Sequence, residues 1–592
     1  MKLHFFITVV FLSVTVCFTA TAQNRKISSS YNRKEAGALQ QKLCKGWNTW
    51  NVHSVLSHVL LPAGFAINLQ PVSGQTGDTL IEAFIGNEQF GKKEHIVPGP
   101  RTYDGSYTEL SVSWQNMRFQ IQTAASGKRL YLFIEPLKHA AGDRLLLEPT
   151  MLWGRKGEIK LDGNHIEAKT ASGEIKLFLT GGKMSVGNHT LTCSFDEPIA
   201  ISSDPNVSVN EIRQIIADAK SRCLQQRAAF GAVAEEYNAM QSVLAWNTIF
   251  DPINNRAITP VSRSWAAPSG GWVLFEWDTY FAASMLALDN KELAYANAIA
   301  ITNEITDRGI VPNNAQPGLK SEDRSEPPVG SLMVLQIYRQ YGEKWFLQEV
   351  FDKLLKWNRW WNENRNLKGY LVLGSDPYDY GNAQHRSIQY IGKLKAAKWE
   401  SGLDNSPMYD DVHFDSSLHR MLQADVGLMS LYIADCKSLA IIAGKLGKNK
   451  IARELRERAG SYAKALSGLW DDSFGLYLNK DLVSGQFSYR ISPTLFYPLL
   501  AGVPTQQQAA RMIKEHFYNP AEFWGEFIMP SIARNDPAFK DNKYWRGRIW
   551  APMNYLVYLG LKNYTLPDAQ QDMVGKSVHL LLQSWNSEHH VY

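Results

Sequence analysis

The chain has 592 residues, too many for one ordinary core, so two to four domains or one large repetitive domain with an accessory one are expected. Lys and Arg number 62 against 57 Asp and Glu, a formal charge of only +5 with no basic run to track a phosphate backbone, so nucleic acid is a poor partner. Hydrophobic residues at 45% and charged residues at 20% suit a soluble globular protein.

The N-terminus reads as a secretory signal. Lys2 gives the positive start, Phe5 to Phe18 is apolar, and Ala20-Thr21-Ala22 is a small-x-small cleavage site. The apolar run is too short to span a bilayer comfortably, and no later segment reads as a membrane span. Cys17 follows bulky Val16 where a lipidation signal wants a small residue, so cleavage at residue 22 is preferred. The expectation is export, to the periplasm or the extracellular space. Cys44, Cys193, Cys223 and Cys436 lie far apart, without CxxC or Cys/His spacing, and are expected as free or buried thiols.

Residues 23–45 are polar and basic, a linker or first strand. From 46 to 206 the texture is β: Phe65-Ala66-Ile67-Asn68-Leu69, Phe119-Gln120-Ile121-Gln122-Thr123 and Leu130-Tyr131-Leu132-Phe133-Ile134 are short runs of alternation or β-formers. Turn residues such as Asp162-Gly163-Asn164 punctuate them, as in a sandwich. Residues 207–231 read as a helical linker and 232–592 as a helical domain. Helices are predicted at 232–248, 276–288, 291–307, 328–341, 344–364, 419–446, 448–468, 491–502, 505–517, 548–563 and 567–588. These are one short of the twelve in an (α/α)6 toroid. The last runs almost to Tyr592, so the sequence is expected to stop before the final helix.

Inter-helix loops concentrate carboxylates, amides, tryptophan and glycine. They are Phe275 to Phe281, Gly309 to Pro328, Trp399 to Asp411, Phe523 to Phe527 with Tyr544 to Tyr555, and Trp585 to Tyr592. Fourteen of the 18 tryptophans lie beyond residue 245, where they serve either a helical core or faces that stack on sugar rings. Glycoside hydrolysis needs one protonated carboxyl and a second carboxylate. Asp404, between Gly402 and Asn405 with Trp399 and Tyr409 nearby, fits the acid. It fits equally the cap of the helix that follows, since Asp-Asn-Ser-Pro is good capping chemistry.

The segment Glu400 to Pro407 resembles the acid-bearing motif of glycoside hydrolase family 63 and its mannosylglycerate-hydrolase-like relatives. Tyr544-Trp545-Arg546-Gly547-Arg548-Ile549-Trp550-Ala551-Pro552-Met553-Asn554-Tyr555 resembles a second signature, and Trp277-Asp278-Thr279-Tyr280-Phe281 the substrate-site loop, all in the family's order. The resemblance implies an N-terminal β-sandwich, an (α/α)6 catalytic domain, inversion at an α-linkage and Asp404 as general acid. It places Trp277, Asp278, Glu400, Asn405, Trp545 and Arg546 around the glycone, and Glu526 and Trp550 are added as substrate-binding candidates. The base it implies is a C-terminal glutamate expected just beyond Tyr592, with Glu588 the nearest carboxylate in the chain.

The function expected is an exported, inverting exo-α-glycosidase acting on a terminal glucose or mannose of an oligosaccharide or small glycoside. The alternatives are a sugar epimerase or isomerase using His413 and His590, or an inert carbohydrate-binding relative. No cofactor or catalytic metal is called for. Asp376-Pro377-Tyr378-Asp379 and Asp410-Asp411 offer oxygen ligands to a structural calcium, though such residues are more often turn formers or solvated charges.

Overall fold

A computed structural model describes residues 33–187, 189–381 and 385–589. The expected signal sequence and His590 lie outside the described residues.

The N-terminal part is sheet-rich. One sheet orders strands Gly46–Asn48, Ser57–Leu61, Phe65–Val72, Arg144–Met151, Leu191–Ser194 and Met184–Val186. The other orders Glu94–Arg101, Tyr107–Trp114, Met117–Ser126, Arg129–Lys138, Ile199–Ser202, Gly173–Thr180, His165–Thr170 and Gly157–Asp162. Alternation sets their faces. Phe119, Ile121, Leu132 and Ile134 turn inward to meet Phe65, Ile67 and Leu147 of the first sheet. Phe133 and Ala124 turn outward and meet a helix instead.

Helix α1 (Lys34–Leu43) falls where the sequence suggested a linker or strand. Among its ten residues only Ala36, Ala38, Leu39 and Leu43 are apolar, so little in the sequence marks it. What holds it is tertiary: Ala36 and Leu39 are buried, and the Gln40 side chain accepts from Ala257 N–H at 2.9 Å. Helix α2 (Val209–Ala228) opens with a Ser208/Glu211 capping box. Its buried residues Ile212, Ile216, Ala219 and Cys223 recur at helical spacing and cover the outer face of the larger sheet.

The remainder is helical. It comprises α3 (Ala234–Asn247), the short α4 (Arg263–Ala266), α5 (Glu276–Leu286), α6 (Lys291–Asn303), α7 (Gly330–Tyr341), α8 (Lys344–Asn364) and the short α9 (Leu394–Trp399). Then come α10 (Val426–Lys445), α11 (Asn449–Ser467), α12 (Pro498–Ala501), α13 (Gln506–Arg511), α14 (Ala551–Leu561) and α15 (Pro567–Glu588). Helix α5 packs on α7, α7 on α10, α10 on α12, and α12 on α14. Tyr555 of α14 meets Phe281 of α5 edge-on at 6.1 Å, and its hydroxyl donates to Gln336 of α7 at 3.0 Å. Helices α6, α8, α11 and α15 flank this inner series.

The helix predicted from 419 begins at Val426 instead. Arg420–Met421 and Gln423–Ala424 are short strands, and Asp425 caps the helix by accepting from Leu428 N–H at 2.8 Å. Among the described residues α10 alone is long and apolar enough to cross a bilayer, yet 89% of its apolar window is buried by its neighbours. Arg263 fastens the two parts together. Buried, it donates to the carbonyls of Thr49, Asn51, Trp246 and Thr248. Cys44, Cys193, Cys223 and Cys436, the cysteines among the described residues, are free and buried.

Candidate active site

The first turn of α5 and three long loops converge at one end of the inner helices. Helix α5 begins directly at Glu276-Trp277-Asp278, so N–H groups without partners inside the helix and its positive dipole end lie among a set of carboxyls. Glu326 accepts from Trp277 N–H at 3.2 Å and from Asn313 Nδ2 at 2.8 Å. Glu276 is fully buried, and neither carboxyl oxygen has a hydrogen-bond partner among the described residues.

The loop after α9 carries Asp404. It turns at Gly402, whose φ of +72° is left-handed. A Cβ there would meet the Trp277 ring at 2.7 Å, so the tryptophan lies directly on the turn. Ser406, not Asp404, caps the Pro407–Tyr409 turn, accepting from Met408 N–H at 3.3 Å. The capping role that composition allowed Asp404 is therefore taken by its neighbour. Asp404 is partly buried, and its Oδ2 accepts from the Tyr544 hydroxyl at 3.2 Å.

Tyr544 is presented by a strained turn. Its φ is +57°, unusual for an aromatic residue, and Lys543 and Arg546 pair across it. Asn405 clasps that turn, accepting from Trp545 N–H at 2.9 Å and donating to Lys543 O at 3.2 Å. Trp545 stacks on Trp550 at 4.1 Å and tilts against Trp277 at 6.0 Å. The walls are thus aromatic and the polar groups convergent, as in small-molecule sites generally.

The electrostatics follow from burial. Withdrawal from water raises Asp404 to about 6, against the pull of Arg324 and the Tyr544 hydrogen bond. Burial, and then the charge of Asp404, raises Asp278 to about 7. Burial first, and then the neighbouring carboxyls, push Glu326 and Glu276 well above the usual range. Arg324 forks onto Asp323 at 2.8 and 2.9 Å and lies over the Trp399 ring at 4.8 Å.

The structure brings Trp277, Asp278, Asp404, Asn405, Trp545 and Trp550 together. Other candidates have different partners. Glu400 is fully buried and forked by Arg365 at 2.6 and 2.7 Å, with Gly374 and Ser325 N–H groups also donating to it. It anchors the loop instead of opening to solvent. Arg546 is engaged by Asp410 at 2.8 Å and Asp541 at 2.6 Å. The Glu526 carboxylate is exposed, 4.0 Å from His579, and Glu588 is exposed at the end of α15. His413 pairs with Asp481 at 2.6 Å, on the surface. Of the calcium candidates, Asp376 is ion-paired with Arg365 and Arg420, Asp410 with Arg490 and Arg546, and Asp379 accepts from Gly381 N–H in a turn. Among the described residues no three His, Cys, Asp or Glu side chains gather as a metal site.

Sequence reasoning gave no site role to Tyr544, Glu276 or Glu326, although all three stand in the loop segments it singled out. Their signal lay in position: Glu326 directly precedes Pro327-Pro328, and Glu276 opens the helix that bears Asp278.

Residues 272–589 match the family model of the mannosylglycerate hydrolase MGH1-like glycoside hydrolase domain. A mannosylglycerate hydrolase of Selaginella moellendorffii is 23% identical over 469 residues, covering 65% of this chain and 90% of that protein. One from Thermus thermophilus is 26% identical over 40% of this chain and 65% of its own length. An Escherichia coli periplasmic trehalase is 22% identical over 54% and 60%. The solved glucose complex of a Thermus thermophilus family 63 mannosylglycerate hydrolase aligns over 52% of this chain and 86% of that one, at 21% identity and a TM-score of 0.44. The family match spans more than half of the sequence and includes all of the convergent loops, and the chain belongs to the mannosylglycerate hydrolase MGH1-like family of glycoside hydrolases.

Proposed function

We propose that the protein is an exported, inverting exo-α-glycosidase that removes a terminal glucose or mannose from an oligosaccharide or a small glycoside. The inner helices α5, α7, α10, α12 and α14, with their flanking partners, are read as an (α/α)6 toroid, and the two sheets as an accessory sandwich. Trp277, Trp545 and Trp550 supply apolar faces to one sugar ring, and Asp278 and Glu326 supply acceptors for its hydroxyls. The similarity to mannosylglycerate hydrolases and trehalases supports a small glycoside as substrate.

The observation that carries this reading is the state of Asp404. One oxygen is occupied by Tyr544, which leaves Oδ1 to hold a proton and pass it to the leaving oxygen. A carboxyl raised to about 6 is still partly protonated near neutrality. Hydrolysis of mannosylglycerate, trehalose and maltose, followed by proton NMR within the first minutes, tests it. The α-linked substrate should release the β-anomer first. For mannosylglycerate an α-anomer released first, for trehalose an initial α to β ratio other than one to one, or no turnover of any α-glucoside or α-mannoside, would overturn it.

The pH dependence has a defined sign. The acid must be protonated, so kcat/KM should hold below the folded pKa of Asp404 and fall on its alkaline side. The midpoint should lie near pH 6, with about a tenfold loss per unit above it. Tyr544→Phe removes a hydrogen bond to the charged form, so the alkaline limb should move to higher pH. A limb that does not move in this variant would detach Asp404 from that titration.

A further inference from the structure

A second cavity, of about 230 Å³, lies where the larger sheet, α2, α3 and the α5–α6 turn meet. It is at the far end of α5 from the carboxyl cluster. The 11-residue helix runs from Glu276 to Leu286, roughly 15 Å of axis. It is therefore separate from the site of hydrolysis.

Its floor is rigid and polar. Arg101 is 3% exposed, and its side chain bonds to neutral acceptors among the described residues. It donates to Thr49 Oγ1 at 3.0 Å and Asn48 Oδ1 at 2.6 Å and stacks over Trp246 at 4.2 Å. Its Nε has no hydrogen-bond partner among the described residues. Burial of this unpaired cation lowers it to about 9. The Tyr103 hydroxyl donates to Gln241. At the rim stand Arg227, Asp104, Asp289 and Gln226, with the Phe230 ring stacked on Tyr237. Asp104 uses Oδ1 to accept from Ser106 N–H at 2.9 Å. No hydrogen bond to its other oxygen or to the exposed Gln226 amide is made among the described residues.

We infer that this cavity binds a single neutral sugar ring at a site distinct from the active site. Two arginines and two aspartates line it, so the lining carries no net formal charge. It does present donors and acceptors at many angles, which suits a ring of hydroxyls and not an apolar ligand. The Phe230–Tyr237 pair offers a flat apolar face for the C–H side of a pyranose. The volume is below the roughly 300–1,000 Å³ of drug-sized pockets, so one ring fits and an extended oligosaccharide does not. Because the walls come from the sheet region and from the helices, an occupant would brace the two parts.

Isothermal titration of the full chain with glucose and with mannose tests this. Two equivalents should bind, and Gln226→Trp, which plugs the mouth from an exposed position, should reduce them to one with hydrolysis unchanged. Asp289→Asn should weaken the same class of site at least tenfold without touching the other. A stoichiometry indifferent to Gln226→Trp, whether the wild type binds one equivalent or two, would overturn the inference. Tighter saturation of this site by acetate or methylammonium than by either sugar would also overturn it. The count does not depend on turnover, so failure of the glycosidase reading would leave this result legible.

Discussion

Asp404→Asn is expected to lower kcat for unactivated glycosides by about 10²- to 10⁴-fold, the span assigned to one general acid. The substitution keeps the shape of the side chain and an oxygen that can accept from Tyr544, but it has no proton to give. The loss should therefore shrink with aryl glycosides whose leaving group departs as a stable anion, because those need little protonation. KM should change less than kcat. The circular dichroism spectrum and thermal midpoint should match wild type, since Ser406 caps the following turn and no helix depends on Asp404. Equal losses on both substrate types, or an active and well-folded variant, would remove Asp404 from the acid role. An inert carbohydrate-binding relative would show no turnover in the wild type either.

Much of the helical half was legible because several helices are long, and α8 and α11 carry clear apolar stripes. Residues 344–364 and 567–588 were read with the bounds that the structure gives. The failures are physical. Helix α1 has too few apolar residues to announce itself and is held by Gln40 and by burial against the helical core. Residues 419–425 look helical by composition, but Arg420 is drawn to Asp376 and Asp425 is a cap, so the chain there is extended. For the site, the motifs located the loops but not the job of each polar side chain. Glu400 and Asp404 are four residues apart in one motif, yet one is locked to Arg365 and the other opens beside Tyr544. Arg365 lies 35 residues from Glu400 and carries no motif, so nothing local in the sequence announces the pair. Likewise Ser406 and Asp404 are both good caps by residue type, and only the turn geometry assigns the cap to the serine.

Arg365→Met should destabilise the fold by about 3–5 kcal/mol, measured as a shift in the denaturant midpoint, because it strands buried carboxylates. Arg365 is fully buried. It forks onto both oxygens of Glu400, reaches Asp376 at 2.9 Å, and lies over Trp360 at 4.5 Å. Burial pushes the Glu400 carboxyl up while Arg365 pulls it down, so removing the guanidinium leaves burial unopposed. Asp376 would suffer less, because Arg420 still holds it at 2.8 Å. Arg365→Lys keeps a charge but loses the planar fork, and should recover only part of the stability. The double variant Arg365→Met with Glu400→Met should be more stable than Arg365→Met alone, since it leaves no orphaned charge at Glu400. Activity should nonetheless stay low in the double variant. Glu400 ties the loop that bears Asp404 to the N–H groups of Gly374 and Ser325, and a methionine cannot accept those bonds. Full activity in the double variant would show that this anchor does not position Asp404. A single Arg365→Met variant as stable as wild type would show that the ion pair does not hold the loop.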